Sequence, residues 1–76
     1  MSNWNHRILA HEGEETYFEI HEVYYTDEIP TGYTKKGVTV GAESLKGIKW
    51  TLNKMKECTK KPILWAGGKF PEEYNV

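Results

Sequence analysis

Three histidines (His6, His11, His21) and one cysteine, Cys58, are the side chains of this sequence with metal-ligating or nucleophilic chemistry. Zinc sites draw three or four ligands from short repeats such as Cys-x-x-Cys or His-x-x-x-His, and neither spacing occurs here. The sequence therefore predicts no metal site, with His6 and His21 as plain neighbours on adjacent strands. A nucleophilic Cys58 would need a depressed pKa and a paired histidine. It falls instead at the C-terminal end of a lysine-rich helix, where the dipole disfavours a thiolate although nearby lysines favour it, so an inert, partly buried thiol is expected. Glu12, Glu14, Glu15, Glu19 and Glu22 supply carboxylates but no pair held at a fixed separation, as general acid and base work requires. They read as a solvated turn and strand face. Thr-Gly-Tyr, Lys-Gly-Val, Val-Gly-Ala and Ala-Gly-Gly fit neither the Walker nor the dinucleotide pattern. No catalytic residue, no cofactor and no enzyme are expected.

The aromatic residues carry more information. Ten of them (Trp4, Tyr17, Phe18, Tyr24, Tyr25, Tyr33, Trp50, Trp65, Phe70, Tyr74) exceed what one small sheet-helix interface needs, so some should be exposed. Tyr and Trp concentrate at the centres of protein interfaces, and they stack bases where lysines hold a nucleic-acid backbone nearby. The alternative is a tail that folds back and uses them in a second small core. Candidate interaction residues are Trp50, Lys46, Lys49, Lys54, Tyr17, Tyr25 and Tyr33. At 100° per residue Trp50, Lys46, Lys49 and Lys54 share the solvent side of one helix. The leading expectation is a small non-enzymatic binding or regulatory protein acting through protein contacts, by self-association as a homodimer or by docking on another protein. The competing expectation is nucleic-acid binding by the lysine-rich helix and Trp50. Against it stand the net charge of −1, the sequence pI of 6.3 and the lack of arginine in that segment. Charge is also segregated: residues 1–34 carry −6, residues 35–69 carry +7 and residues 70–76 carry −2.

These residues must be positioned by few elements. A chain of 76 residues is one small domain, burying about 60% of the surface its unfolded form exposes, with a stability of roughly 4 to 11 kcal/mol. Residues 1–65 are expected to form the domain and residues 66–76 a tail freed by Gly67-Gly68. Residues 1–10 contain no apolar stretch of the signal-peptide kind, and no segment is apolar enough to span a membrane, so a cytoplasmic location is expected. The fold class is α+β: a three-stranded antiparallel meander over residues 4–35, with one amphipathic helix over residues 44–58 packed on one face. Thr16 to Tyr25 is the strongest strand signal, although Phe18 and Ile20 alternate out of phase with Val23 and Tyr25, which demands a bulge near His21-Glu22 or burial on both faces. Gly32 and the neighbouring lysines mark the third strand as an edge. Leu45, Ile48, Leu52 and Met55 lie three, four and three apart, a helical stripe that Ser44 is placed to cap. Pro62-Ile63-Leu64-Trp65 is a candidate for a short fourth strand.

Four segments in order, Asn3-Trp4-Asn5-His6-Arg7-Ile8, Ile20-His21-Glu22-Val23-Tyr24-Tyr25, Glu43-Ser44-Leu45 and Lys61-Pro62-Ile63-Leu64, resemble a set of short uncharacterised bacterial and phage proteins over residues 3–64. The resemblance implies no activity and no catalytic residue. This chain departs from that set in its lysine-rich helix and its extra tail. The order of elements is also similar to that of small antitoxin domains of the HicB type, a likeness of order alone.

Overall fold

The computed structural model describes residues 3–75. Four strands, β1 (Asn3–His11), β2 (Tyr17–Thr26), β3 (Ile29–Tyr33) and β4 (Leu64–Trp65), make one sheet in the order β3-β2-β1-β4. One helix, α1 (Leu45–Lys56), continues into a 3-10 turn at Glu57–Lys60. The α+β class is as expected. The sheet is mixed, however, rather than a purely antiparallel meander: β1, β2 and β3 are antiparallel neighbours, whereas β4 returns parallel to β1, with Leu9 beside Leu64. The long connection through α1 makes the parallel return possible, since a parallel neighbour needs a crossover and not a tight turn.

β1 and β2 pair without interruption from Asn3↔Tyr25 to His11↔Tyr17, so the phase slip in β2 is resolved by burial on both faces and not by a bulge at His21-Glu22. The register shift lies instead between Tyr24 and Tyr25, against β3. Odd-numbered residues of β1 and β2 (Arg7, Leu9, His11, Glu19, His21, Val23) share one face. There Leu9, Val23 and Leu64 form a core cluster, flanked by Tyr25, Tyr33, Ala66 and Phe70. Even-numbered residues (Trp4, His6, Ile8, Ala10, Ile20, Glu22) share the other, and α1 lies on that side, with Lys54 over Trp4. This register also corrects the expected pairing of His6 with His21. Glu22 stands opposite His6 and Arg7 opposite His21, so the two histidines point to opposite faces.

Ser44 caps α1 as expected, its hydroxyl accepting from the Gly47 amide at 3.0 Å. The stripe does not pack as expected. Met55 is buried and Ile48 is half-buried, but Leu45 is 81% exposed and Leu52 is 50% exposed. The buried side of the helix runs through half-buried Ile48 and Thr51 to Met55, and the helix anchors through its C-terminal end, where Met55 and Cys58 are buried. Leu45 and Leu52, seven residues apart, therefore line one exposed edge of the helix.

The segment after β4 folds back on the sheet. The Trp65 amide donates to the Glu72 carbonyl at 2.8 Å, the Tyr74 amide donates to the Ile63 carbonyl at 2.7 Å, and Leu64 bridges Glu73. Phe18, Trp65 and Tyr74 meet edge to face, with ring centres 5.1 to 5.4 Å apart. Among the described residues no helix is long and apolar enough to cross a membrane.

Candidate functional site

The seven residues singled out from the sequence fall on different parts of the molecule. Trp50 is 59% exposed, and Lys46 and Lys49 are exposed beside it on α1. Lys54 is half-buried, its ammonium 4.1 Å from the centre of the Trp4 ring and 5.3 Å from that of Trp50. This cation holds the two indoles together and covers part of the Trp50 surface that base stacking would use. Tyr17 is half-exposed and stacks on His11 with ring centres 4.8 Å apart. Tyr25 and Tyr33 are structural: the Tyr25 hydroxyl accepts from Arg7 at 2.7 Å, while the Tyr33 hydroxyl accepts from the Gly67 amide at 2.6 Å.

Two elements of opposite charge carry exposed apolar side chains. The first is α1, where Leu45, Trp50 and Leu52 stand among Lys46, Lys49 and Lys56, and where Leu45–Lys56 contains no acid. The second is the tip of the β1–β2 hairpin. Tyr17 and Phe18 are half-exposed there, among Glu12, Glu14, Glu15 and Glu19. Lys69 engages Glu12 at 2.9 Å.

A cluster that the sequence reading missed lies just behind the tip of the same hairpin, where His11 pairs with Tyr17. Nε2 of His11 is 2.9 Å from Nε2 of His21, and Oε1 of Glu19 lies 3.3 Å from the first and 3.5 Å from the second. His21 is wholly buried, and its Nδ1 donates to the Thr34 carbonyl at 2.9 Å, with the Thr34 hydroxyl at 3.1 Å. His11 also lines an open cleft of about 560 Å³ bounded by Tyr33, Lys35, Gly67 and Lys69. One signal in the sequence points to this cluster: Glu19-x-His21 sets two ligating groups on one face of a strand, and a hairpin closing over residues 12–16 brings His11 to that face.

His6, on the opposite face, is 5% exposed, and burial holds its pKa below the ordinary imidazole value; the Glu22 carboxylate opposes this, and Lys54 acts both ways, its charge lowering the pKa and its backbone raising it. Cys58 is 1% exposed, and burial pushes its thiol pKa up, the reverse of what a nucleophile needs. No family model, no curated protein and no solved structure matches this chain.

Proposed function

We propose that this domain is a non-enzymatic binding protein that acts through protein contacts, beginning with contacts to a second copy of itself. The observation that supports this reading is the exposure of Leu45 (81%), Trp50 (59%) and Leu52 (50%) on a helix whose sequence would allow a buried stripe. Large apolar side chains gathered on one lysine-rich element mark an interaction surface more than a solvated one.

Charge selects the occupant. Segment 45–56 carries four lysines and no acid, and segment 11–19 carries four glutamates and no lysine or arginine. Each element also carries exposed apolar groups: Leu45, Trp50 and Leu52 on α1, Tyr17 and Phe18 near the hairpin tip. A twofold arrangement that sets the helix of one copy against the hairpin tip of the other satisfies both areas twice, as an isologous contact requires. The nucleic-acid alternative uses Lys46, Lys49, Lys54 and Trp50, but Lys54 is already held between two indoles and the acidic tip would repel a phosphate backbone.

Sedimentation equilibrium tests the reading. The protein should be dimeric at low salt and dissociate as salt shortens the screening length from about 30 Å at 0.01 M to about 8 Å at 0.15 M. Leu45→Glu with Leu52→Glu should give a monomer with an unchanged circular dichroism spectrum. A monomer at every concentration and salt would refute self-association.

A further inference from the structure

We infer that His11, Glu19 and His21 form a binding site for a divalent transition-metal cation of the zinc class, a function beyond the proposed self-association, although His11 and Glu19 border the acidic tip. Three potential ligand atoms converge, separated by 2.9, 3.3 and 3.5 Å. Ligands about 2.05 Å from a cation stand about 2.9 Å apart in octahedral cis geometry and about 3.3 Å apart in tetrahedral geometry. The observed triangle spans that range. A point about 2.05 Å from all three atoms lies about 0.8 Å out of their plane, which is close to a tetrahedral centre with one position open. The three atoms thus lie at separations that a single cation can span.

Orientation is fixed before any cation arrives. The Thr34 carbonyl can only accept, so Nδ1 of His21 carries the hydrogen and Nε2 presents its lone pair towards His11 and Glu19. A ligating histidine characteristically makes such a bond through its second nitrogen. Tyr17 stacks almost flat on the His11 ring, at an interplanar angle of 8°, and Tyr33 meets His21 edge to face at 5.6 Å. Without a cation, Nε2–H of His11 donates to Nε2 of His21. When a cation enters, neutral His11 carries that hydrogen on Nδ1 and both Nε2 lone pairs ligate.

The third ligand is positioned by the backbone. The Val38 amide donates to the Ile20 carbonyl at 2.9 Å, laying residues 34–38 beside β2. A Cβ on Gly37 would stand 2.8 Å from Oε2 and 3.1 Å from Cδ of Glu19. Gly37 thus leaves room for the carboxylate where it reaches both histidines. Two imidazoles and one carboxylate suit zinc, cobalt and nickel in preference to calcium or magnesium, which take oxygen ligands.

The test is titration of the metal-free protein with Zn²⁺ by calorimetry and with Co²⁺ by visible absorption. One equivalent should bind, with a dissociation constant on the order of 1 µM and cobalt bands of a four-coordinate centre. A hundredfold excess of Zn²⁺ over its dissociation constant should raise the Tm by about 15 °C. Because buried His21 is unsuitable for replacement, the variants are His11→Ala, Glu19→Gln and Gly37→Ala, each checked by circular dichroism. The first two should weaken Zn²⁺ binding at least about 10-fold and the third by a smaller factor, while Glu28→Gln, at the exposed β2–β3 turn, should leave it unchanged. Absence of saturable uptake at about 100 µM Zn²⁺ would overturn the inference. Equal affinity in the parent, His11→Ala and Glu19→Gln would overturn it as well, by assigning the uptake to other groups.

Discussion

Arg7 Nη2 donates to the carbonyl oxygen of Pro62 at 2.6 Å, joining the middle of β1 to the segment that leads into β4, 55 residues away in the chain. Arg7 as a whole is 7% exposed, and Nη1 also donates to the Tyr25 hydroxyl at 2.7 Å. Among the described residues no carboxylate lies within ion-pair distance of it, so a buried charge is held by two neutral oxygens. Arg7→Ala should cost about 2 to 4 kcal/mol in urea unfolding, because it removes both bonds and the packing of the side-chain stem. Arg7→Met keeps the stem and buries no charge, so it should lose less. Equal losses in the two variants would show that packing contributes nothing.

The rotation of α1 makes two leucines unequal. Leu9 is fully buried in the core cluster, and Leu9→Ala should cost about 2 to 5 kcal/mol by transfer and cavity terms. Leu52 is half-exposed, and Leu52→Ala should cost less than about 1 kcal/mol. Thermal denaturation of both variants checks the orientation of the helix: a Leu52→Ala variant as unstable as Leu9→Ala would place Leu52 in the core.

Much of the fold was legible in the sequence because its signals are local. The Ser44 cap, the three-four-three spacing after it and the β-rich run from Thr16 to Tyr25 each specify an element within about a dozen residues. The face that α1 buries was not legible. Leu45, Ile48, Leu52 and Met55 span an arc of about 80°, and the edge that is buried follows from the tertiary burial of Met55 and Cys58 at the end of the helix. The His11–Glu19–His21 cluster was missed for a similar reason. Its members are linked by strand register, which a search for helical or knuckle spacings does not sample.

Asp27 and Glu28 close the β2–β3 hairpin with φ of +50° and +67°, in a two-residue loop between the paired Thr26 and Ile29. Positive φ at both central positions is the type I′ turn, which favours Asn-Gly, and a side chain there costs about 1 to 2 kcal/mol per residue. Glu28→Gly should therefore raise stability by about 1 kcal/mol and Tm by about 5 °C. A lower Tm would mean that the Glu28 side chain makes a contact worth more than the strain.

Burial of His6 lowers its folded pKa below the unfolded value of 6.5, so the folded form resists protonation. Both states hold His6 neutral above that value. As pH falls through it, the unfolded state gains a proton first, and the stability contributed by neutral His6 is lost down to the lower folded pKa. Unfolding free energy should fall between pH 7 and the folded pKa, and His6→Gln should flatten that part of the profile. An unchanged slope in the variant would assign the pH dependence to other groups.

The pairing of the basic helix of one copy with the acidic hairpin tip of another is the central claim, and charge reversal tests it directly. Lys46→Glu/Lys49→Glu and Glu14→Lys/Glu15→Lys should each be monomeric alone, because in each a like-charged pair of surfaces would face one another. Mixed in equal amounts at low salt, they restore opposite charges at both contacts of the twofold dimer, so analytical ultracentrifugation should show a heterodimer. Two monomers that remain separate after mixing, or single variants that still dimerise like the parent, would contradict the account.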